Sequence, residues 1–121
     1  MNQRGPLKLL IAEDRAALRR MIRSIVADHA NEIRECAVGE ELPKVYVTWQ
    51  PDFVVIDADM RTMDGIAATL WIKAMDPSAK VIIVSSYNSL ELRESAQRAG
   101  ASAFVLKDNL LELSQLLAAS R

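Results

Sequence analysis

The sequence predicts an α/β protein, a doubly wound parallel sheet of five strands with helices on both faces. Three observations carry that prediction. Five short apolar runs alternate with five stretches of helical periodicity along the 121 residues. One run, Phe53-Val-Val-Ile56, is apolar throughout, as a strand buried on both faces must be. The runs also end on distinctive residues, Glu13-Asp14, Asp57, Ser85 and Lys107, and strand ends of such open sheets collect on one rim.

Taken in order, Leu7 to Ala12 is the first strand, an apolar run with one lysine that stops at Glu13-Asp14. Ala17, Leu18, Met21, Ile22, Ile25 and Val26 then repeat at three-and-four spacing, so they share one helical face, with Asp14 at the N-cap position. Polar residues around Asn31 close that helix. Ile33 to Val38 reads as a weaker strand suited to an edge, which makes the four strongly apolar strands central. Gly39 leads into a short helix from about Glu40 to Gln50, with Pro43 in its first turn. Gln50-Pro51-Asp52 breaks the chain before the strand Phe53 to Asp57.

Beyond Gly65, the pattern Ile66, Leu70, Ile72, Met75 gives a helix ended by Asp76-Pro77. Val81 to Val84 is another buried strand, ending on Ser85-Ser86. Leu90 to Ala99 is a helix closed by Gly100. Ala103 to Leu106 is the last strand, and Asp108 or Asn109 then caps a helix with Leu110, Leu113, Leu116 and Leu117 on its apolar side. No repeat, low-complexity run or linker intervenes, so residues 1–121 read as one domain.

Half the residues are hydrophobic and 26% are charged, an ordinary globular balance. A net charge of −1 gives no general attraction to nucleic acid or to an anionic membrane. The single cysteine, Cys36, excludes an internal disulfide and a cysteine-based zinc site. The opening Met-Asn-Gln-Arg-Gly-Pro lacks the apolar run of a signal peptide, and no later run would span a bilayer. A cytoplasmic domain that touches neither membrane nor nucleic acid is the expectation.

The rim residues suggest a chemistry. Carboxylates crowded together must share protons or hold a cation, and an oxygen-only set without cysteine or histidine favours a hard ion such as Mg²⁺. An ammonium and a hydroxyl facing such a site suit the peripheral oxygens of a phosphoryl group. A carboxylate is itself a competent nucleophile toward phosphorus. Singly these residues are unremarkable: Asp57 could be a strand-end turn residue, Glu13-Asp14 a helix cap, Ser85 turn chemistry and Lys107 a solvated lysine. Their order along the chain is what makes them a set.

That order resembles the receiver domain of bacterial response regulators, over roughly Leu7 to Ala118. The acidic pair follows the first strand; Asp57-x-x-Met60 with Asp64-Gly65 is similar to the family's phosphoacceptor motif; Phe104-Val-Leu-Lys107 is similar to its last strand. The resemblance implies a flavodoxin-like fold with strand order 2-1-3-4-5. It implies that Asp57 accepts a phosphoryl group from a sensor histidine kinase or phosphotransfer protein. Asp14, Asp57 and the main-chain carbonyl of Asp59 would hold Mg²⁺ or Mn²⁺ directly, with Glu13 acting through water. Ser85 and Lys107 would bind the phosphoryl group, and Ser85 with Phe104 would form the switch. That switch would remodel the face of the fourth helix, fifth strand and fifth helix, which would serve homodimer or output-domain contacts. Asp59 and Tyr87 would tune the lifetime of the phosphorylated state.

Arg61 departs from the pattern, standing beside the site where the family usually has proline. It would loosen the loop or bring a second cation to the phosphoryl group. Phe104 replaces the commoner tyrosine, and Asp108 follows Lys107 where proline is frequent, as in members with a helix-turn-helix output domain.

Two other functions compete. One is a receiver-like interaction module that does not signal by phosphorylation, for which Arg61 is the best support. The other is a haloacid-dehalogenase-type phosphatase, suggested by Asp57-Ala-Asp59, although that motif belongs near the N-terminus of a larger chain. A flavodoxin-like cofactor binder lacks a phosphate-cradling loop after the first strand. Outside the rim, Arg15, Arg19 and Arg23 with Arg20 read as a solvated face or as a docking surface for an acidic partner. His29, the only histidine, reads as an exposed helix-end residue.

Overall fold

The computed structural model describes residues 7–119. Its strands are β1 (Lys8–Ala12), β2 (Glu32–Cys36), β3 (Phe53–Asp57), β4 (Lys80–Ser85) and β5 (Ala103–Leu106). Helices α1 (Ala16–Val26), α2 (Glu41–Trp49), α3 (Gly65–Met75), α4 (Leu90–Ala99) and α5 (Glu112–Ala119) alternate with them. All neighbouring strands pair in parallel, in the spatial order β2-β1-β3-β4-β5. This is the flavodoxin-like doubly wound order, and β2 lies at an edge as its weak apolar pattern predicts.

Because strand side chains alternate, each buried strand feeds two cores. Leu10, Val54, Ile56, Val81 and Ile83 pack beneath α2, α3 and α4, against Leu42, Tyr46, Ile72 and Ala96. Leu9, Ile11, Phe53, Val55, Ile82 and Val84 pack on the other face against Ile22 and Val26 of α1 and Leu113 and Leu117 of α5. Ala12, Ile56, Ile83 and Phe104 lie in one row across the sheet. One to three residues beyond this row, Glu13, Asp57, Ser85 and Lys107 stand at the carboxyl ends of these strands.

Several expectations are corrected. The second edge is β5, half-exposed at Ala103, Phe104 and Leu106, because a five-stranded open sheet must end on two strands. In α1 only Leu18, Ile22, Ile25 and Val26 reach the core, while Met21 is 54% exposed and Ala17 is exposed too. Its N-cap is Arg15 rather than Asp14, and the Arg15 N–H is satisfied by Glu13 Oε2 at 3.1 Å. In α3, Leu70 and Met75 point outward, and Ala68, Thr69 and Ile72 are buried instead. The Thr69 hydroxyl escapes a desolvation cost by donating to the Gly65 carbonyl at 2.8 Å.

Asp108 and Asn109 do not cap α5. They lie in a 3₁₀ turn, Lys107–Asn109, that lets Leu110 drop into the core before α5 begins at Glu112. His29 is half-buried, with Nε2 2.7 Å from Ser114 Oγ of α5. Arg19 and Arg23 are not simply solvated, since both bind Glu35 on β2, at 2.9 and 2.7 Å. Between β3 and α3 the chain also makes an antiparallel hairpin, Asp59–Met60 against Met63–Asp64, that no sequence pattern announces.

Candidate functional site

Three strand ends build the site. β1 delivers Glu13 and Asp14, β3 delivers Asp57, and β5 delivers Lys107. Glu13 and Asp57 are 0% and 2% exposed, so both carboxyls have lost their water. Oxygens of Glu13, Asp14 and Asp57 lie within 4.8 Å of one another. Lys107 Nζ stands 3.0 Å from Asp57 Oδ1 and 3.5 Å from Glu13 Oε1, the one ammonium set against this pair among the described residues. Asp57 Oδ1 also accepts the Asp59 N–H at 3.0 Å, which fixes the carboxylate plane.

The electrostatics are strained in one place. Burial, reinforced by the charge of Asp57 and a hydrogen bond with Asp14, outweighs the Arg15 N–H and Lys107 and pushes the Glu13 carboxyl up to about 7. Glu13 Oε1 is buried and accepts no hydrogen bond. For Asp14, burial acts upward as well, but the Arg61 N–H, the Arg61 guanidinium and Glu13 together hold it below its usual range. A buried, unsatisfied carboxylate oxygen among three hard oxygen donors fits a small divalent cation.

The remaining predicted residues are placed as follows. Ser85 is fully buried at the end of β4; its Oγ accepts the Tyr87 N–H at 3.0 Å and lies 3.4 Å from Asp59 Oδ2. It thus pairs with Tyr87 and Asp59. Tyr87 itself is 63% exposed. Phe104 is half-buried against the α2–α3–α4 core, and the Arg93 guanidinium sits 4.6 Å over its ring. Arg61 is outside the acid cluster but bound to it, as its N–H and Nε both donate to Asp14 Oδ2, at 3.0 and 3.3 Å.

Sequence reading missed Arg93, which also holds Asn88 at 3.1 Å in the loop before α4. It also underused Gly65. A Cβ there would lie 2.5 Å from the Asp57 carbonyl oxygen and 2.8 Å from Ala58 Cα, so only glycine lets α3 start against the main chain at the end of β3. The Asp64-Gly65 pair was the signal: Asp64 caps α3, accepting from the Ile66 and Ala67 N–H groups.

A two-faced parallel sheet with this acid-and-lysine rim defines the receiver class of signalling domain, and comparison with known proteins agrees. The sequence profile of the response regulator receiver domain matches residues 9–120. Chemotaxis protein CheY of Listeria monocytogenes is 40% identical over 111 residues, spanning 88% of this chain and 93% of its own. CheY of Bacillus subtilis is 34% identical over 110 residues, spanning 87% and 92%. A crystal structure of a DNA-binding response regulator of the LuxR family from Staphylococcus aureus superimposes with a TM-score of 0.84 at 28% identity, covering 93% of this chain and 97% of that one. The chain belongs to the response regulator receiver domain family, the receivers of two-component phosphorelay signalling.

Proposed function

We propose that Asp57 is the phosphoacceptor, taking a phosphoryl group from the phosphohistidine of a sensor histidine kinase or phosphotransfer protein. The observation that carries this is the buried Asp57 carboxylate held between the Lys107 ammonium and the two acids of β1. In the transfer, an Asp57 oxygen forms the new bond to phosphorus as the phosphorus–nitrogen bond of the donor breaks. The imidazole leaves with the electron pair. Lys107 faces the oxygens on which negative charge grows, and burial strengthens that interaction.

Glu13, Asp14, Asp57 and the carbonyl of Asp59 would hold Mg²⁺ or Mn²⁺. When bound, such an ion screens the repulsion between carboxylate and incoming phosphoryl group. Ser85 and Phe104 form the switch in this reading. Ser85 turns from Tyr87 and Asp59 toward the phosphoryl group, and Phe104 moves inward on β5. The α4–β5–α5 face then changes for a homodimer or output-domain partner. Asp59 and Tyr87, the two residues bonded to Ser85, set how fast water removes the group in this reading.

The domain in this reading turns over no small substrate, works in the cytoplasm, and meets neither membrane nor nucleic acid directly. Among the described residues no helix is long and apolar enough to cross a membrane. The whole chain from residue 1 to 121 would act as the one receiver unit. Incubation with Mg²⁺ and acetyl phosphate tests the assignment: intact-mass spectrometry should show one added phosphoryl group, lost in Asp57→Asn. Labelling that survives Asp57→Asn unchanged would refute it. The Arg61–Asp14 contact favours one second reading, a module that does not signal by phosphate. Unlabelled wild-type protein, with no amide shifts at Asp57 on adding beryllium fluoride and Mg²⁺, would establish that reading instead.

A further inference from the structure

Arg61 sits at the tip of the hairpin and has its side chain 84% in solvent, yet it donates twice to a single carboxylate oxygen. That oxygen, Asp14 Oδ2, belongs to one of the three acids whose oxygens converge within 4.8 Å. The two donations differ in kind. The main-chain N–H comes with the hairpin backbone and orients Asp14. The guanidinium is a full positive charge on a flexible stem in water, free to leave. A carboxylate oxygen with two N–H donors on it has little capacity left for a cation.

We infer that Arg61 is a positioning residue acting through Asp14, a tethered cation that competes with a divalent ion for the acid cluster. The inference rests on the reading of Glu13, Asp14 and Asp57 as a metal site. Coordination of the ion through Oδ2 requires the guanidinium to swing into solvent while the N–H keeps Asp14 in place. The domain therefore holds its metal more loosely, and more dependently on ionic strength, than the acids alone would set. An exposed ion pair of this type corresponds to about a two- to fivefold change in affinity.

The test is titration of the full chain with Mg²⁺ alone, followed by amide shifts in two-dimensional NMR. Arg61→Ala and Arg61→Gln remove the charge and keep the N–H; both should bind Mg²⁺ about two- to fivefold more tightly, and Arg61→Lys should bind as wild type does. The gap between Arg61 and its neutral variants should narrow at high salt, since an exposed charge is screened. In the wild type, the Arg61 Nε–H resonance should move to its solvent-exchanging position as Mg²⁺ is added.

Unchanged or weaker Mg²⁺ binding in both neutral variants overturns the inference, as does an Nε–H signal that ignores Mg²⁺. These outcomes are separable from the phosphoacceptor assignment. Asp57 labelling by acetyl phosphate in the wild type decides that assignment, whatever Arg61 does to metal affinity.

Discussion

With EDTA present, folding stability should fall as pH rises from 4.5 toward 7, and Glu13 should be the cause. An unfolded glutamate releases its proton near 4.5, whereas in the fold the Glu13 carboxyl keeps it to about 7. Between those values the native state binds more protons than the unfolded state, so stability declines with pH. Each pH unit is worth about 1.4 kcal/mol. The interval from 4.5 to about 7 thus costs about 3 kcal/mol, complete above the upper value. The depressed acids Asp14, Glu35 and Asp76 act in the opposite sense and below this window, where their stabilisation is lost on acidification. Urea denaturation across this range, with and without Mg²⁺, measures the slope. Glu13→Gln should abolish it and raise stability at neutral pH, and saturating Mg²⁺ should flatten it in the wild type. A flat profile with EDTA, or a slope that persists in Glu13→Gln, would show that Glu13 is not the strained group.

Three further outcomes are expected. Lys107→Ala removes the ammonium from two buried carboxyls, so it should cost about 3 kcal/mol in urea denaturation at neutral pH and sharply slow labelling by acetyl phosphate; near-normal labelling rates would count against its role at the phosphoryl group. Gly65→Ala forces a methyl group to within 2.5 Å of the Asp57 carbonyl oxygen and should destabilise by about 1–3 kcal/mol; wild-type stability would mean that α3 can slide away freely. Arg93→Ala takes the guanidinium off the Phe104 ring at a cost of about 0.5–1 kcal/mol and should shift the Phe104 ring resonances, which unchanged aromatic NMR spectra would contradict.

The sheet was legible because burial on both faces leaves a mark that survives without coordinates. Phe53 to Ile56 and Val81 to Val84 are unbroken apolar runs, and helices between them force parallel pairing. Edges and helix faces were less legible. Ala103 to Leu106 is as apolar as a central strand yet lies at an edge, and Met21, Leu70 and Met75 fit helical periodicity while facing water. Periodicity records which residues share a face, not which face meets the core. Glu13, Asp14, Asp57 and Lys107 were found because strand ends must converge. The Arg61 N–H on Asp14 was not, because main-chain donors carry no residue identity. The Arg93–Phe104 stack joins α4 to β5 through a geometry that sequence spacing does not encode.

The division of β3 between two cores has a consequence for how this chain can vary. Phe53 and Val55 answer to α1 and α5, Val54 and Ile56 to the helices opposite. An inserted or deleted residue within the strand would hand each side chain to the wrong core and turn Asp57 away from Lys107 in the same stroke. Asp57 is thus fixed like the last mark on a ruler clamped from both sides. The hairpin that follows, where Arg61 and Thr62 are exposed, is held instead by hydrogen bonds, the Arg61 N–H on Asp14 Oδ2 at 3.0 Å and the Gly39 N–H on Thr62 Oγ1 at 2.8 Å. What can change there at least cost is the Arg61 side chain, 84% in solvent, so new behaviour can arise at the hairpin tip without moving Asp57.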